Sequence, residues 1–140
     1  MWNSFGSSLW NSTIRISWIK KHVLALIIAM TIYIINRFIL KNLEIPYISY
    51  LLKNHLGDYI GGIVFCIYLN VILFIGKRKP INKFGIIFTI MLFVSILWEY
   101  FFPLFLKYST SDLLDIIAYM LGTITYYLLF YKQNNMIVKE

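Results

Sequence analysis

The sequence is poor in charge, and negative charge is especially scarce. Charged residues make up only 14% of its 140 residues, with six Asp and Glu against thirteen Lys and Arg, whereas an ordinary globular domain is about a quarter charged. In a soluble protein the net charge of +7 would indicate a nucleic-acid partner. Here the basic residues flank apolar runs, which argues against nucleic acid and for anionic lipid headgroups.

Cysteine and recognisable catalytic motifs are also nearly absent. The single cysteine, Cys66, lies in an apolar run, so it cannot form an intramolecular disulfide and is expected to be a small buried hydrophobe. The chain contains no G-x-S-x-G, H-E-x-x-H or glycine-rich phosphate loop, and no nucleophile-and-base pair stands out. Catalytic residues therefore stay unassigned, and an enzyme is not the first expectation.

Long hydrophobic runs are what the sequence does contain. Hydrophobic residues make up 60% of the chain, and its mean hydropathy is +0.73. Runs of about 18 to 23 residues can each cross a bilayer core about 30 Å thick, whereas a soluble bundle would need charges that FGIIFTIMLFVSILW does not offer. We therefore predict one all-α domain over residues 1–140, a polytopic membrane protein built as a four-transmembrane-helix bundle. The predicted spans are about residues 22–40, 59–76, 84–106 and 113–131.

The basic residues orient these spans through the positive-inside rule. Nine of the thirteen Lys and Arg lie before the first span, between the second and third, or after the fourth, so both termini are predicted to be cytoplasmic. In the first outward loop, Pro46 is placed to begin a short interfacial helix that ends near Gly57. Residues 1–17 do not follow the order of a signal peptide and are predicted to be an interfacial or a disordered leader. Trp18 fits an interfacial aromatic belt.

Four of the six acidic residues fall near the outward ends of spans, although the topology is assigned from Lys and Arg alone. Asp58 opens the second span, and Asp112 and Asp115 open the fourth. Glu99 lies about 10 Å inside the outer end of the third span. This convergence predicts an outward-facing acidic pocket. Its predicted lining residues are Asp58, Glu99, Asp112, Asp115, His55 and Tyr119.

Helical spacing places these residues on polar stripes. In lipid, small residues let helices approach closely and polar residues hydrogen bond across the contact, so Asn70 is expected to bond to a neighbouring helix. The stripe on the fourth span consists of Asp112, Asp115, Tyr119, Gly122 and Tyr126. The stripe on the second span consists of Tyr59, Gly62, Cys66 and Asn70. The residues predicted to mediate helix packing are Gly61, Gly62 and Gly122.

The carboxylates also have purely structural interpretations. An Asp near a helix start, such as Asp112 or Asp58, can cap the helix or complement its macrodipole. The fourth span can also be capped by Ser109, Thr110 or Ser111. Asp115 lies one turn deeper, which weakens that explanation. An ionisable group within a span, such as Glu99, is costly unless it is paired. A salt bridge from Glu99 to Lys107 or Lys53 is the structural alternative.

Four clustered carboxylates cannot all stay ionised without compensation: either some of them are protonated or a cation sits among them, and nearby lysines could supply part of that charge. Oxygen-rich sites suit a divalent cation such as Mg²⁺, Ca²⁺ or Mn²⁺, and His55, unless it is only an interfacial side chain, would admit Zn²⁺. An amine or another cationic ligand group is an equal candidate. No other cofactor is predicted. The residues that could hold a metal are Asp58, Glu99, Asp112 and Asp115.

A glutamate late in one span, a short loop and then D-x-x-D-x-x-x-Y-x-x-G form a recognisable pattern. The segments WEYFFP and SDLLDIIAYMLG carry it, and the chain resembles the VanZ-like family over about residues 54–127. These are small bacterial membrane proteins named for a member linked to teicoplanin resistance. The resemblance implies family-type positions at Glu99, Asp112, Asp115 and Gly122. The chain departs from the family pattern at Tyr100 and Tyr119, where glutamine and asparagine are common, and it lacks an arginine before Asp112.

The resemblance implies a cell-envelope role in the bacterial inner (cytoplasmic) membrane. We expect the acidic pocket to bind a cation or a cationic envelope ligand, in antibiotic resistance or envelope lipid handling. The expected partners are the lipid bilayer and an envelope lipid or antibiotic. One alternative is a metal-dependent membrane enzyme acting on a lipid headgroup. Another is a small transporter or complex subunit that forms a homo-oligomer, with its conducting path between protomers.

Overall fold

A computed structural model describes residues 12–39, 50, 53–105 and 112–139. All regular secondary structure in these ranges is helical, and four helices are long and apolar enough to cross a membrane. The all-α four-span prediction is therefore confirmed. The helices are α1 (Ser12–Phe38), α2 (Leu56–Ile75), α3 (Phe84–Ile96) and α4 (Leu113–Lys139). Helix α3 continues into a π-helical turn, Leu97–Phe101, and a 3-10 turn, Phe102–Leu104.

The terminal helices extend beyond the predicted spans. Helix α1 begins at Ser12, so residues 12–17 of the predicted leader belong to a long helix. Lys20 and Lys21 continue that helix without interruption because lysine is a good helix former. The first part of the leader and the segment of the predicted interfacial helix around Pro46 lie outside the described residues.

Helices α2 and α4 run parallel and form the central pair of the bundle. A Cβ atom added to Gly62 would meet the backbone of Tyr119, and a Cβ atom added to Gly122 would meet the backbone of Gly62. Further along both helices, the Asn70 Nδ2 donates a hydrogen bond to the Tyr126 hydroxyl over 2.7 Å, as the sequence predicts. Glycine at the contact removes the side chains that would hold two helix backbones apart. The polar stripes of α2 and α4 therefore face each other directly.

Helices α1 and α3 each pack against this pair. Helix α1 packs on α2 and runs antiparallel to α4. Helix α3 packs on α4, where Met91 contacts Ile116 and Met120. The outer faces of the helices expose large apolar side chains, for example Ile27 and Leu128. Such faces are stable in lipid and not in water.

Candidate functional site

The end of the bundle where α2 and α4 begin, and where α1 and α3 end, is here called the acidic end. The structure brings all six residues of the predicted pocket to this end. We call this group the acidic cluster, and its members are His55, Asp58, Glu99, Asp112, Asp115 and Tyr119. The cluster draws side chains from α2, α4 and the π-helical turn after α3.

Asp112 is the N-cap of α4. Its Oδ1 accepts a hydrogen bond from the backbone N–H of Leu114 over 2.9 Å, which satisfies one of the donors that a helix start leaves free. The capping interpretation of Asp112 is therefore confirmed. The backbone N–H of Asp112 also donates to the Glu99 Oε2 over 3.4 Å. This weak contact connects the start of α4 to the end of α3.

Asp115 is not a capping residue, since its carboxylate pairs with His55. The His55 Nδ1 and the Asp115 Oδ1 are 2.6 Å apart, which is a short hydrogen bond. His55 is only 8% exposed, and the edge of the Tyr50 ring packs against it. Its other nitrogen, Nε2, is buried and has no hydrogen-bond partner in the described part of the chain. The imidazole is thus held in place with one nitrogen still available.

Glu99 lies in the π-helical turn because of Pro103. A proline has no N–H to donate to the carbonyl four residues earlier, and its ring collides with that carbonyl. Four residues before Pro103 is Glu99 itself. The helix widens at this point, with the Phe102 N–H bonded to the Leu97 carbonyl, and π-helical turns are frequent at functional sites. Glu99 is buried at 6% exposure while its neighbours Trp98 and Tyr100 are exposed.

A salt bridge to a lysine is the structural alternative for Glu99. Within residues 53–105 and 112–139, the ion pair between His55 and Asp115 is the only one found, so Lys53 does not pair with Glu99. Lys107 lies outside the described residues. The Glu99 carboxylate instead interacts with three neighbouring carboxylates of the cluster. Among the described residues, the neighbours of the Glu99 carboxylate are therefore acidic, and no basic side chain pairs with it.

Asp58 joins the cluster from the first turn of α2. Its carboxylate interacts with the Tyr119 hydroxyl and with the carboxylate of Asp115. A nitrogen of His55 and one carboxylate oxygen each of Asp112 and Asp115 also lie within 4.8 Å of one another. Negative groups this close repel one another strongly where water is scarce. Either of two arrangements would relieve this repulsion: protons held on some of the carboxyl groups, or a cation held among them.

A second polar cluster, at the opposite end of the bundle, is not predicted from the sequence. Here the Trp18 Nε1 donates to the Asn134 Oδ1 over 2.9 Å. His22 is fully buried and bonds to the Tyr126 hydroxyl over 3.3 Å. Asn134 also donates to that hydroxyl over 3.3 Å. The expectation that Trp18 belongs to an interfacial belt is wrong, because its indole is 3% exposed and packs on Phe74.

One sequence signal could have found this second cluster. Trp18 and His22 are four residues apart, and so share one face of a helix. Tyr126 and Asn134 are eight residues apart, which also places them on one face. Polar side chains at such spacing within apolar helices indicate an interhelical hydrogen-bond network.

Comparison with known protein families, curated proteins and solved structures finds no match for this chain. Its class is therefore defined by the fold and the lipid-compatible surface alone. Four apolar helices of spanning length make it a multi-pass membrane protein.

Proposed function

We propose that the chain is a VanZ-like protein of the bacterial inner membrane whose acidic cluster binds a cation or the cationic group of an envelope ligand. In this proposal both termini are cytoplasmic and the acidic end faces outward, as the distribution of Lys and Arg predicts. One observation carries the proposal. Carboxylates from three helical segments interact with one another, one of them is paired with a buried histidine, and no Lys or Arg among the described residues pairs with them.

Burial of these groups supports a role in binding. Ionisable residues within a membrane-spanning segment are costly to retain, and they usually mark a ligand or ion site. Glu99 and His55 are both more than nine-tenths buried. An ammonium group or a metal ion placed among the carboxylates would replace repulsion by attraction. Handling of a cationic envelope lipid or resistance to a cationic antibiotic would follow from such binding.

The first prediction concerns an alkylammonium probe. Ethanolammonium chloride should raise the thermal unfolding temperature of the detergent-solubilised protein, because a ligand at a hundredfold excess over its Kd adds about 2.7 kcal/mol to stability. The double variant Glu99→Gln with Asp115→Asn removes two charges and keeps side-chain shape, so it should lose the shift. Glu44→Gln with Glu140→Gln removes two charges from residues that are not members of the cluster, so it is the charge-matched control and should retain the shift. A shift of equal size in wild type and double variant would contradict the proposal.

Antibiotic susceptibility gives a cellular readout of the same site. Cells expressing the wild-type chain should tolerate more teicoplanin or cationic lipopeptide than cells expressing the double variant. The minimal inhibitory concentration of each antibiotic measures this, with membrane expression levels matched. Equal tolerance in the two strains would argue against a role in antibiotic resistance. The ethanolammonium measurement would then decide whether the acidic cluster binds a cationic group.

A second candidate is a metal-dependent membrane enzyme acting on a lipid headgroup. The close approach of ligand atoms from His55, Asp112 and Asp115 favours it, since imidazole and carboxylate together suit Zn²⁺. A zinc ion held there could polarise a phosphoryl oxygen or activate a water molecule.

The second prediction separates this metal site from an ammonium site. Removing the imidazole with His55→Gln should weaken Zn²⁺ binding at least about 100-fold, since loss of even an outer-shell partner costs 10 to 100-fold. Mg²⁺ binding, which relies on oxygen ligands, should change little. Competition with a fluorescent zinc chelator measures the Zn²⁺ affinity, and isothermal titration calorimetry measures the Mg²⁺ affinity. Zinc binding that survives His55→Gln unchanged would exclude a site built on this residue.

A further inference from the structure

A cavity of about 300 Å³ opens beside the acidic cluster, between the end of α1 and the start of α2. Its volume is at the lower end of the range for small-molecule sites. Arg37 comes from the last turn of α1, Lys53 from the residues just before α2, and Asp58 from the first turn of α2. The side chains of Tyr33 and Asn36 complete the α1 side of the cavity.

The cavity has two walls of opposite charge. Arg37 and Lys53 supply the positive wall, and neither forms an ion pair with a described carboxylate. Asp58 supplies the negative wall and interacts in turn with Asp115, so this wall continues into the acidic cluster. A ligand complementary to both walls carries an anionic group and a cationic group a short distance apart. Arginine binds phosphate oxygens through paired hydrogen bonds, and carboxylates attract an ammonium group.

Next to the cavity, α1 presents an apolar surface. Ile34, Ile35 and Phe38 are exposed on the turns that carry Arg37. These residues lie at the end of a span, where the headgroup region of a bilayer begins. A molecule with its charged part in the cavity would therefore have apolar protein surface available for hydrocarbon chains. The apolar surface beside the cavity therefore favours a lipid over a soluble phosphate ester as the ligand.

We propose that this cavity binds a zwitterionic phospholipid headgroup, with the phosphate between Arg37 and Lys53 and the ammonium group on Asp58 and the adjoining carboxylates. The proposal rests on the proposed function, because the acidic cluster supplies the cation side. Phosphatidylethanolamine has this chemistry. Phosphatidylglycerol has the phosphate and lacks the ammonium group, so it can satisfy only the positive wall.

The test measures lipid retention by native mass spectrometry of the protein released from nanodiscs that contain equal amounts of the two lipids. The wild-type chain should retain phosphatidylethanolamine in preference to phosphatidylglycerol. Arg37→Gln with Lys53→Gln should lower retention of both lipids at least about tenfold, because the charge-assisted hydrogen bonds from both residues to the phosphate are lost. Asp58→Asn should abolish the preference and leave retention of phosphatidylglycerol unchanged. Lys77→Gln with Arg78→Gln changes two exposed residues just beyond the other end of α2; it is the charge-matched control for the double variant and should behave as wild type.

One further variant and one competition experiment distinguish the possible causes of a change in lipid retention. Arg37→Lys preserves the charge and should retain most of the binding, which separates loss of phosphate contact from loss of the fold. Soluble phosphoethanolamine should compete poorly with the lipid, and competition at equal concentration would overturn the assignment to a lipid. A wild-type chain without preference that still shows the ethanolammonium shift would overturn the headgroup proposal alone. Absence of both effects would overturn the headgroup proposal and the proposed function together.

Discussion

Replacing Gly122 with alanine should destabilise the folded protein by about 3 kcal/mol, at the upper end of the cost of overpacking a close contact. A Cβ atom at this position would overlap the backbone carbonyl oxygen of Tyr59 and would come within 3.1 Å of the Ile63 nitrogen. Backbone atoms of a packed helix cannot move aside as a flexible side chain can. The central pair of α2 and α4 would have to separate to admit one methyl group.

Gly62→Ala tests the same contact from α2, and Gly85→Ala is the matched control. A Cβ at Gly62 would overlap the carbonyl oxygen of Tyr119, whereas a Cβ at Gly85 would meet nothing within 4 Å. Gly85 lies in α3, where alanine is the better helix former by about 1 kcal/mol. We therefore expect a large loss at Gly62 and Gly122 and none at Gly85. Unfolding in mixed micelles by SDS titration, followed by circular dichroism, measures each variant.

Separation of α2 from α4 would also disturb the acidic end. Asp58 lies on the first turn of α2 and its partners Asp115 and Tyr119 lie on α4. Gly62 is one turn beyond Asp58, so a wider spacing at the glycines would move these groups apart. The glycine variants should accordingly bind ethanolammonium more weakly, even where they fold. Equal stability of Gly122→Ala and Gly85→Ala would show that the two helices are not in backbone contact.

The spans could be predicted because membrane insertion depends on length and apolar content, and both can be counted along the chain. The grouping of Asp58, Glu99, Asp112 and Asp115 at one end could also be predicted, because an up-and-down topology brings alternate helix ends together. The pairing of His55 with Asp115 could not be predicted from the sequence. These residues are 60 positions apart, and their contact depends on how closely α2 and α4 approach.

The geometry of the π-helical turn cannot be predicted from the local sequence alone. Pro103 is visible in the sequence and predicts a disturbance of the helix at Glu99, four residues before it. A proline can kink a helix, end it or widen one turn, and only the packing of α3 against α4 selects among these. Widening the turn keeps Glu99 buried beside Asp112. The sequence thus predicted a buried glutamate but not the geometry that holds it.

The second polar cluster escaped prediction because its parts come from distant segments. Trp18 precedes the predicted first span and His22 is its first residue. Between them lie Lys20 and Lys21, which indicate the edge of the membrane in the sequence. Asn134 lies beyond the predicted end of the fourth span. The cluster exists because both helices extend past those limits and meet there. Tyr126 is its centre, with three side chains bonded to one hydroxyl group.

The hydrogen bonds of this network assign the proton positions. The His22 Nδ1 donates to the Trp18 carbonyl oxygen over 2.9 Å, so its Nε2 is the acceptor for the Tyr126 hydroxyl proton. The hydroxyl oxygen in turn accepts from the amide groups of Asn70 and Asn134. The side chains of His22, Asn70 and Asn134 are thus linked through that one oxygen. Such a fully satisfied buried network stabilises strongly, and loss of its centre is costly.

Tyr126→Phe should for this reason destabilise the protein by about 3 kcal/mol, because a buried polar group left without a partner costs about 1 to 3 kcal/mol. The substitution keeps the ring, which stacks on Phe130, and removes only the hydroxyl. Tyr131→Phe is the control, since this exposed tyrosine lies on the same helix and should tolerate the change within about 0.5 kcal/mol. SDS titration of both variants gives the comparison. Equal stability would show that Tyr126 contributes through its ring alone, and that His22, Asn70 and Asn134 find other partners.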